Sequence, residues 1–190
     1  MPLETEIKLR LPHGSDRVRT LLEQHGFHAT VPRQLEINQT FDLPTGELRQ
    51  SDRLLRLRST GGRCTVTFKG PPAAGAHKSR EEIEAEVSNG SAFSEILAAL
   101  GYQPSFAYEK FRTTFEAPGQ EGMVTLDETP IGDFLELEGS ESWIDQTAIR
   151  LGFGPADYLT SSYAGLYEEY RRTLPSDDRT VPRDMKFHLP

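Results

Sequence analysis

At 190 residues and a formal net charge of −8, the chain is long enough for one sizeable core. It is too acidic overall to coat nucleic acid or to bind an anionic membrane through a polybasic face. Its one cysteine, Cys64, forms no intrachain disulfide and lacks the partners of a thiolate metal site.

The N-terminus shows neither the basic nor the apolar region of a signal peptide. No apolar run is long enough to span a bilayer, so a soluble cytoplasmic protein is expected. Leu3 to Leu11 alternates as a strand does: Glu4, Glu6 and Lys8 share one face, with Arg10 extending the row, and Leu3, Ile7, Leu9 and Leu11 share the other with Thr5. Asp16 to His25 carries a helical stripe of Val18, Leu21 and Leu22, with Ser15 as the expected cap and Gly26 as the stop. A long extended segment runs from about Phe27 to Leu43 and turns at Pro44-Thr45-Gly46. Arg56 and Arg58 then oppose Leu55 and Leu57, and Gly61-Gly62 predicts a hairpin. The returning strand sets Thr65, Thr67 and Lys69 against Val66 and Phe68 and places Cys64 in the strand. Pro71 to Gly75 reads as a flexible loop.

Arg80, Glu82, Glu84 and Glu86 alternate with Ile83, Ala85 and Val87. A helix capped by Ser91 follows, with Phe93, Ile96, Leu97 and Leu100 expected inward and Gly101 at its end. Tyr102 to Glu116 is extended, with Lys110 and Arg112 on one face. Met123 to Glu128 and Phe134 to Gly139 form a pair of strands around Pro130-Ile131-Gly132, the second setting Glu136 and Glu138 opposite Leu135 and Leu137. Helices are predicted over Ser140–Leu151, with Trp143, Ile144, Thr147 and Leu151 inward, and over Tyr158–Arg172. The folded domain is expected to span residues 1–172, with a partly ordered or flexible tail over 173–190. The order strand, helix, glycine, aromatic, long strand occurs twice, ending at Gly26-Phe27 and at Gly101-Tyr102, which suits a fold of two related halves.

About eight alternating strands predict an α+β, mainly β, eight-stranded antiparallel barrel with helices packed outside. The polar rows are clusters of full charges rather than a mixed solvated face. Lys8, Arg56, Arg58, Lys69, Arg80, Lys110 and Arg112 match Glu4, Glu6, Glu82, Glu84, Asp127, Glu136 and Glu138 in number. Facing inward, they make a wet, charge-balanced lumen, because dry burial of so many ions is prohibitive. Carboxylates in i, i+2 pairs are hard ligands suited to Mg2+ or Mn2+, and arginine and lysine suit phosphate. Together they describe a site for a metal-bound triphosphate and for phosphoryl or nucleotidyl transfer. No Walker loop, GxGxxG or HExxH is present, and His13, His25, His28, His77 and His188 fall at loops, helix ends and the tail, where no catalytic role is expected.

Glu4-Thr5-Glu6-Ile7-Lys8 resembles the ExExK motif of the CYTH family, the triphosphate tunnel metalloenzymes. The resemblance continues through Gln39-Thr40-Phe41-Asp42, Leu55-Arg56-Leu57-Arg58, Thr67-Phe68-Lys69-Gly70-Pro71, Arg80-Glu81-Glu82-Ile83-Glu84, Lys110-Phe111-Arg112, Leu126-Asp127, Phe134-Leu135-Glu136-Leu137-Glu138-Gly139 and Ser162-Tyr163. It implies a pseudo-two-fold β-tunnel threaded by substrate, and a divalent cation, Mg2+ or Mn2+. It implies Glu4, Glu6, Asp127, Glu136 and Glu138 as metal ligands, and Arg56, Arg58, Lys69, Arg80, Lys110 and Arg112 as phosphate binders. Glu4, Glu6 and Lys8 form its catalytic set, with Lys8 either binding phosphate or orienting the attacking water. Glu82 and Glu84 form a second acidic group, for another metal or for holding the basic residues. The implied activity is hydrolysis of inorganic, thiamine or nucleoside triphosphate. The alternatives are a class IV adenylyl cyclase, making cyclic AMP and pyrophosphate from ATP, and a non-catalytic polyphosphate or nucleotide binder. The expected partner is the small-molecule triphosphate, and the oligomeric state stays open between monomer and homodimer.

Overall fold

Residue alternation carries most of the chain into strands. The computed structural model describes residues 3–174 and 182–187. The strands are β1 (Leu3–Leu11), β2 (His28–Asp42), β3 (Leu54–Thr60), β4 (Arg63–Lys69), β5 (Lys78–Val87), β6 (Gln103–Glu116), β7 (Met123–Thr129) and β8 (Gly132–Glu138). They close into an antiparallel barrel in the order β1-β5-β4-β3-β2-β6-β7-β8, the mainly β architecture expected. Gly61 and Gly62 take φ of 55° and 81°, the left-handed pair that a two-residue hairpin between β3 and β4 requires. The two halves of the chain, β1 to β4 and β5 to β8, exchange without changing the barrel order, and β1 pairs with β5 as β2 pairs with β6. The repeated pattern in the sequence therefore corresponds to a repeated unit in space.

The apolar faces point outward, under helices. Helices α1 (Asp16–Gln24) and α4 (Glu141–Arg150) cover one side, where Ile7, Leu9, Val124, Leu126, Leu135 and Leu137 are fully buried against Leu22 and Ile144. Each such side chain contributes about 1.5–3 kcal/mol on leaving water. Helix α3 (Gly90–Ala99) covers Phe41 and Leu57 on the other side with Leu97 and Phe93. Gly122 and Gly139 lie flat against Trp143, and a Cβ on Gly122 would fall 2.2 Å from its ring.

Several local expectations shift. Ser15 precedes α1 but its backbone is helical (φ −86°, ψ −23°), so its side chain makes no cap bond. Helix α3 is capped by Asn89, whose extended backbone lets its side chain accept from the Ala92 N–H at 3.0 Å, and not by Ser91. Of its expected inward residues, Phe93 and Leu97 turn inward, whereas Ile96 and Leu100 are 54% and 66% exposed. Leu3, at the start of β1, is 70% exposed rather than packed.

A short helix α2 (Glu47–Gln50) follows β2, held by Asp42, which accepts from the Leu43, Leu48 and Arg49 N–H groups. The last helix, α5 (Tyr163–Thr173), starts at Tyr163 under a Ser162 cap rather than at Tyr158. Leu159 instead exchanges two backbone hydrogen bonds with Lys8, which keeps it out of the helix. In the expected tail, Met185 is buried beside Tyr108 and its backbone bonds to Ala107 and Glu109 of β6. Residues 175–181 and 188–190 lie outside the described residues. Among the described residues, no helix is long and apolar enough to cross a membrane.

Candidate active site

Barrel closure turns the charged rows of β1, β3, β4, β5, β6, β7 and β8 toward one another. β1 and β5 bring Glu4 opposite Arg80 and Glu6 opposite Lys78, and β1 and β8 bring Lys8 opposite Glu136 and Glu6 opposite Glu138. On this wall Lys69 Nζ lies 2.6 Å and 2.5 Å from the two Glu4 oxygens and 3.2 Å from Glu82. Arg80 reaches Glu4 and Glu6 at 3.8 Å and 3.9 Å.

On the facing wall Asp127 is fully buried. It accepts two bonds of 2.6 Å from Arg112, one of 2.9 Å from Lys110 and one of 2.5 Å from the Tyr163 hydroxyl. Arg112 also pairs with Glu136, and Lys8 bridges Glu136 and Glu6 at 3.2 Å and 3.3 Å. Arg56 donates to Thr67 at 3.1 Å and lies 3.5 Å from Glu84, which itself accepts from Thr67. The predicted site residues are thus brought together in one lumen, with Glu84 at its exposed edge. Arg10 is not among them: it is exposed and stacks on the Phe134 ring at 4.7 Å.

Several lumen residues had no place in the predicted set. Glu36 shares the inner face of β2 with Asn38 and Thr40 and pairs with Lys110 at 3.5 Å and Arg58 at 3.8 Å. Lys78 lies 3.4 Å from Glu6. Its place two residues before Arg80 was a legible signal, because i and i+2 share a strand face. On β2 the signal was weak, since Gln39 puts a polar group on the other face as well.

The charges differ in how well they are compensated. Burial alone would raise Glu6 and Glu36, but Lys8 and Lys78 around the first, and Lys110, Arg112 and Arg58 around the second, pull both down to about 2. Burial would also raise Glu136, yet Arg112 and Lys8 hold it well below the carboxylate range. Glu82 and Glu138 go the other way, to about 7. Burial raises both, and the neighbouring Glu4, with Glu6 near Glu138, adds like-charge repulsion that Lys69 does not offset.

Among the described residues, no three carboxylates, thiolates or imidazoles are gathered into a ready-made metal cage. Mg2+ does not need one, since it usually takes one or two carboxylates and completes its shell with water and phosphate oxygens. The under-compensated Glu82 and Glu138, with Glu4 beside them, have the donor chemistry that suits a hard divalent ion. Asp127 is engaged by its four donors and Glu136 by Arg112 and Lys8.

Much of the lumen's hydrogen-bonding capacity has no protein partner. Both amide atoms of the fully buried Asn38, Glu36 Oε2, the Nε atoms of Arg56, Arg58 and Arg80, and Thr125 Oγ1 make no hydrogen bond with the described residues. A buried group left so costs about 1–3 kcal/mol. A cavity of about 660 Å3 opens off the lumen between α2 and the start of α5, lined by Thr40, Lys78, Arg80, Arg53, Phe106 and Tyr167 among others. Tyr108, Phe134, Tyr163, Leu166 and Met185 pack together and close the neighbouring part of the barrel.

Comparison with known proteins agrees with this geometry. The CYTH domain model matches residues 2–149. The chain belongs to the CYTH family. This CYTH domain is 29% identical over 144 residues to a Methanocaldococcus jannaschii protein named "Putative adenylate cyclase MJ0240", covering 76% of this chain and 81% of that one. Its fold is similar to a Vibrio parahaemolyticus structure described as a "putative adenylate cyclase", with a TM-score of 0.77, 21% identity, and 87% and 98% of the two chains covered. It is also similar to a Hippeastrum protein described as a "Putative adenylyl cyclase" that reveals a dominant triphosphatase activity, with a TM-score of 0.63, 20% identity, and 92% and 98% covered. Within the quoted CYTH motifs, Glu4, Glu6, Lys8, Arg56, Lys69, Arg80, Lys110, Arg112, Asp127 and Glu136 turn into the lumen and the intervening apolar residues pack outward.

Proposed function

We propose that this CYTH protein is a cytoplasmic, divalent-metal-dependent hydrolase of a triphosphate, whether inorganic, thiamine or nucleoside triphosphate. The observation that supports it most is the lumen itself, a buried ring of lysines and arginines with unused donors that also holds Glu82 and Glu138, two carboxylates left under-compensated by their acidic neighbours. Arg56, Arg58, Lys69, Arg80, Lys110 and Arg112 bind the phosphate chain, and the Nε–H groups of Arg56, Arg58 and Arg80, which make no hydrogen bond with the described residues, are left to donate to it. The ion pairs that hold these cations fix their positions before substrate arrives, so little reorganisation remains for the transition state. Mg2+ or Mn2+ would be held by Glu4, Glu6 and Glu138, with Glu136 and Asp127 behind them, and would neutralise charge on the phosphate oxygens. Glu82 and Glu84 steady Lys69 and Arg56 from the β5 side.

A second reading, an adenylyl cyclase releasing cyclic AMP and pyrophosphate, draws on the names of the relatives. The lumen charges serve both, because both reactions act on a metal-bound triphosphate.

The test is a product assay. Purified protein is incubated with Mg2+ or Mn2+ and inorganic triphosphate, thiamine triphosphate or ATP, and orthophosphate is separated from cyclic AMP plus pyrophosphate. Orthophosphate is expected, and cyclic AMP as the main product from ATP would overturn the hydrolase reading. Glu4→Gln should lose metal-dependent rate, whereas Arg56→Ala should chiefly raise KM. Equal kinetics in both variants and the parent would refute the assigned roles.

A further inference from the structure

Every cation in the lumen has an anionic partner, but the lumen's unpaired atoms are not all donors. On adjacent strands β2 and β3, Asn38 Nδ2, Arg56 Nε and Arg58 Nε donate no hydrogen bond to the described residues. Asn38 Oδ1 and Glu36 Oε2, on residues two positions apart along the inner face of β2, accept none, and Glu36 Oε2 has only the longer ion pairs with Lys110 at 3.5 Å and Arg58 at 3.8 Å. Asn38 is fully buried, pairs across the barrel wall with Arg58 on one side and Tyr108 on the other, and uses neither atom of its amide on them. A core asparagine kept for structure spends its amide on neighbouring strands, as buried polar groups generally do.

A phosphate chain accounts for only half of this set. Its oxygens accept, so they satisfy Asn38 Nδ2 and the two arginine Nε atoms. They cannot satisfy Asn38 Oδ1, and they are repelled by the Glu36 carboxylate. Those two acceptors call for an O–H donor lying between the wall and the phosphate.

The place on the barrel narrows the choice of donor. β2 is four strands from β1 in either direction round the barrel, so it lies across the lumen from the strand that carries Glu4, Glu6 and Lys8. Phosphoryl transfer needs the entering and leaving oxygens on opposite sides of phosphorus.

We propose that Glu36 and Asn38 hold the attacking water, with Asn38 Oδ1 and Glu36 Oε2 accepting hydrogen bonds from its O–H groups while Asn38 Nδ2 donates to the terminal phosphate. The inference rests on the hydrolase reading above. The water oxygen bonds to the terminal phosphorus as the bridging P–O bond breaks, and that electron pair leaves on the pyrophosphate oxygen. One water proton stays on the orthophosphate and the other is released to solvent. Glu36 orients the water and takes no proton itself, because Lys110, Arg112 and Arg58 keep it ionised. Of the two roles open to Lys8, phosphate binding is the one this arrangement leaves to it.

The test uses the full chain with Mg2+ and inorganic triphosphate, and separately ATP, comparing the parent with Glu36→Gln, Asn38→Asp and Asn38→Leu. Orthophosphate release gives kcat and KM, calorimetry gives affinity for non-hydrolysable imidotriphosphate, and melting curves establish folding. Glu36→Gln and Asn38→Asp keep the size of the native side chain, so the test does not depend on the leucine variant folding. Glu36→Gln is expected to lower kcat by about 100-fold, the scale of a mispositioned reactant, with KM and analogue affinity little changed; Asn38→Leu should lower kcat on the same scale and also raise KM, because it removes the donor to the terminal phosphate. Asn38→Asp should also raise KM, since it replaces a donor by a charge that repels phosphate. A raised KM at unchanged kcat in Glu36→Gln and Asn38→Leu would make the pair phosphate ligands and overturn the proposal, as would unchanged kinetics in an active parent. Cyclic AMP from the parent would assign the hydroxyl to the sugar of ATP and overturn the water. A parent that turns over neither substrate would overturn the hydrolase reading and this inference with it.

Discussion

Asp127→Asn should destabilise the ligand-free protein severely and make its stability depend on an added polyanion. The substitution keeps the side-chain shape and removes one negative charge at a fully buried position. That charge is shared by Arg112 through two bonds of 2.6 Å, by Lys110 at 2.9 Å and by the Tyr163 hydroxyl at 2.5 Å. The amide nitrogen would point a donor at groups that are themselves donors. Removing one member of a buried ion pair costs about 3–5 kcal/mol, much of it from the charge left behind. For a chain of this length each kcal/mol shifts Tm by about 2–4 °C, so a fall of about 6–20 °C is expected. Tyr163 begins α5, so the loss should also loosen that helix from the barrel.

Inorganic triphosphate then supplies the missing negative charge to Lys110 and Arg112. A ligand at 100 times its Kd stabilises by about 2.7 kcal/mol. The variant should gain more in Tm from the same concentration of triphosphate than the parent does. The assay is thermal unfolding followed by circular dichroism at low salt, with and without triphosphate. A ligand-free Tm within about 2 °C of the parent would refute the claim that Asp127 anchors this wall, given the sensitivity above. An equal triphosphate effect in both proteins would refute the link to the phosphate site.

In metal-free protein, Glu82 and Glu138 keep their protons up to about 7 when folded but release them near 4.5 when unfolded, so the folded state binds more protons between these values. Stability should therefore fall as pH rises from 4.5 to 7, and the double variant Glu82→Gln, Glu138→Gln should flatten this limb. Glu6 and Glu36, held down to about 2, contribute stability above 4.5 that is lost as pH falls toward 2. Melting temperature against pH should thus peak between the two limbs, and a continuous rise from pH 4.5 to 7 would contradict the assignment. Gly122→Ala would drive a methyl into the Trp143 ring, against a contact of 2.2 Å, and should cost about 1–3 kcal/mol, read as a lower midpoint in urea. An unchanged midpoint would mean that Trp143 can move.

Much of the lumen could be read from the chain because period 2 is rigid. Once Glu4, Glu6 and Lys8 share a face, no backbone rotation short of a register slip separates them. The same logic places Arg56 with Arg58, and Glu136 with Glu138. What alternation does not say is which face is inside. The barrel interior is charged only because α1, α3 and α4 bury the apolar faces from without, and that depends on where distant helices dock. Ser91, Ile96 and Leu100 show the limit at close range: Asn89, two residues earlier, had the extended backbone a cap needs, and α3 turned accordingly.

The sequence by itself determined the strand faces, the charged rows, the family motifs and the repeated half, since each follows from spacing along one strand or one turn. Only the tertiary structure decided that Asp127 spends its oxygens on Arg112, Lys110 and Tyr163, that Met185 seals β6, and that Glu36 and Asn38 belong to the site. Those contacts join residues far apart in the chain, and they come from closure of the barrel, which brings β2 to face β1.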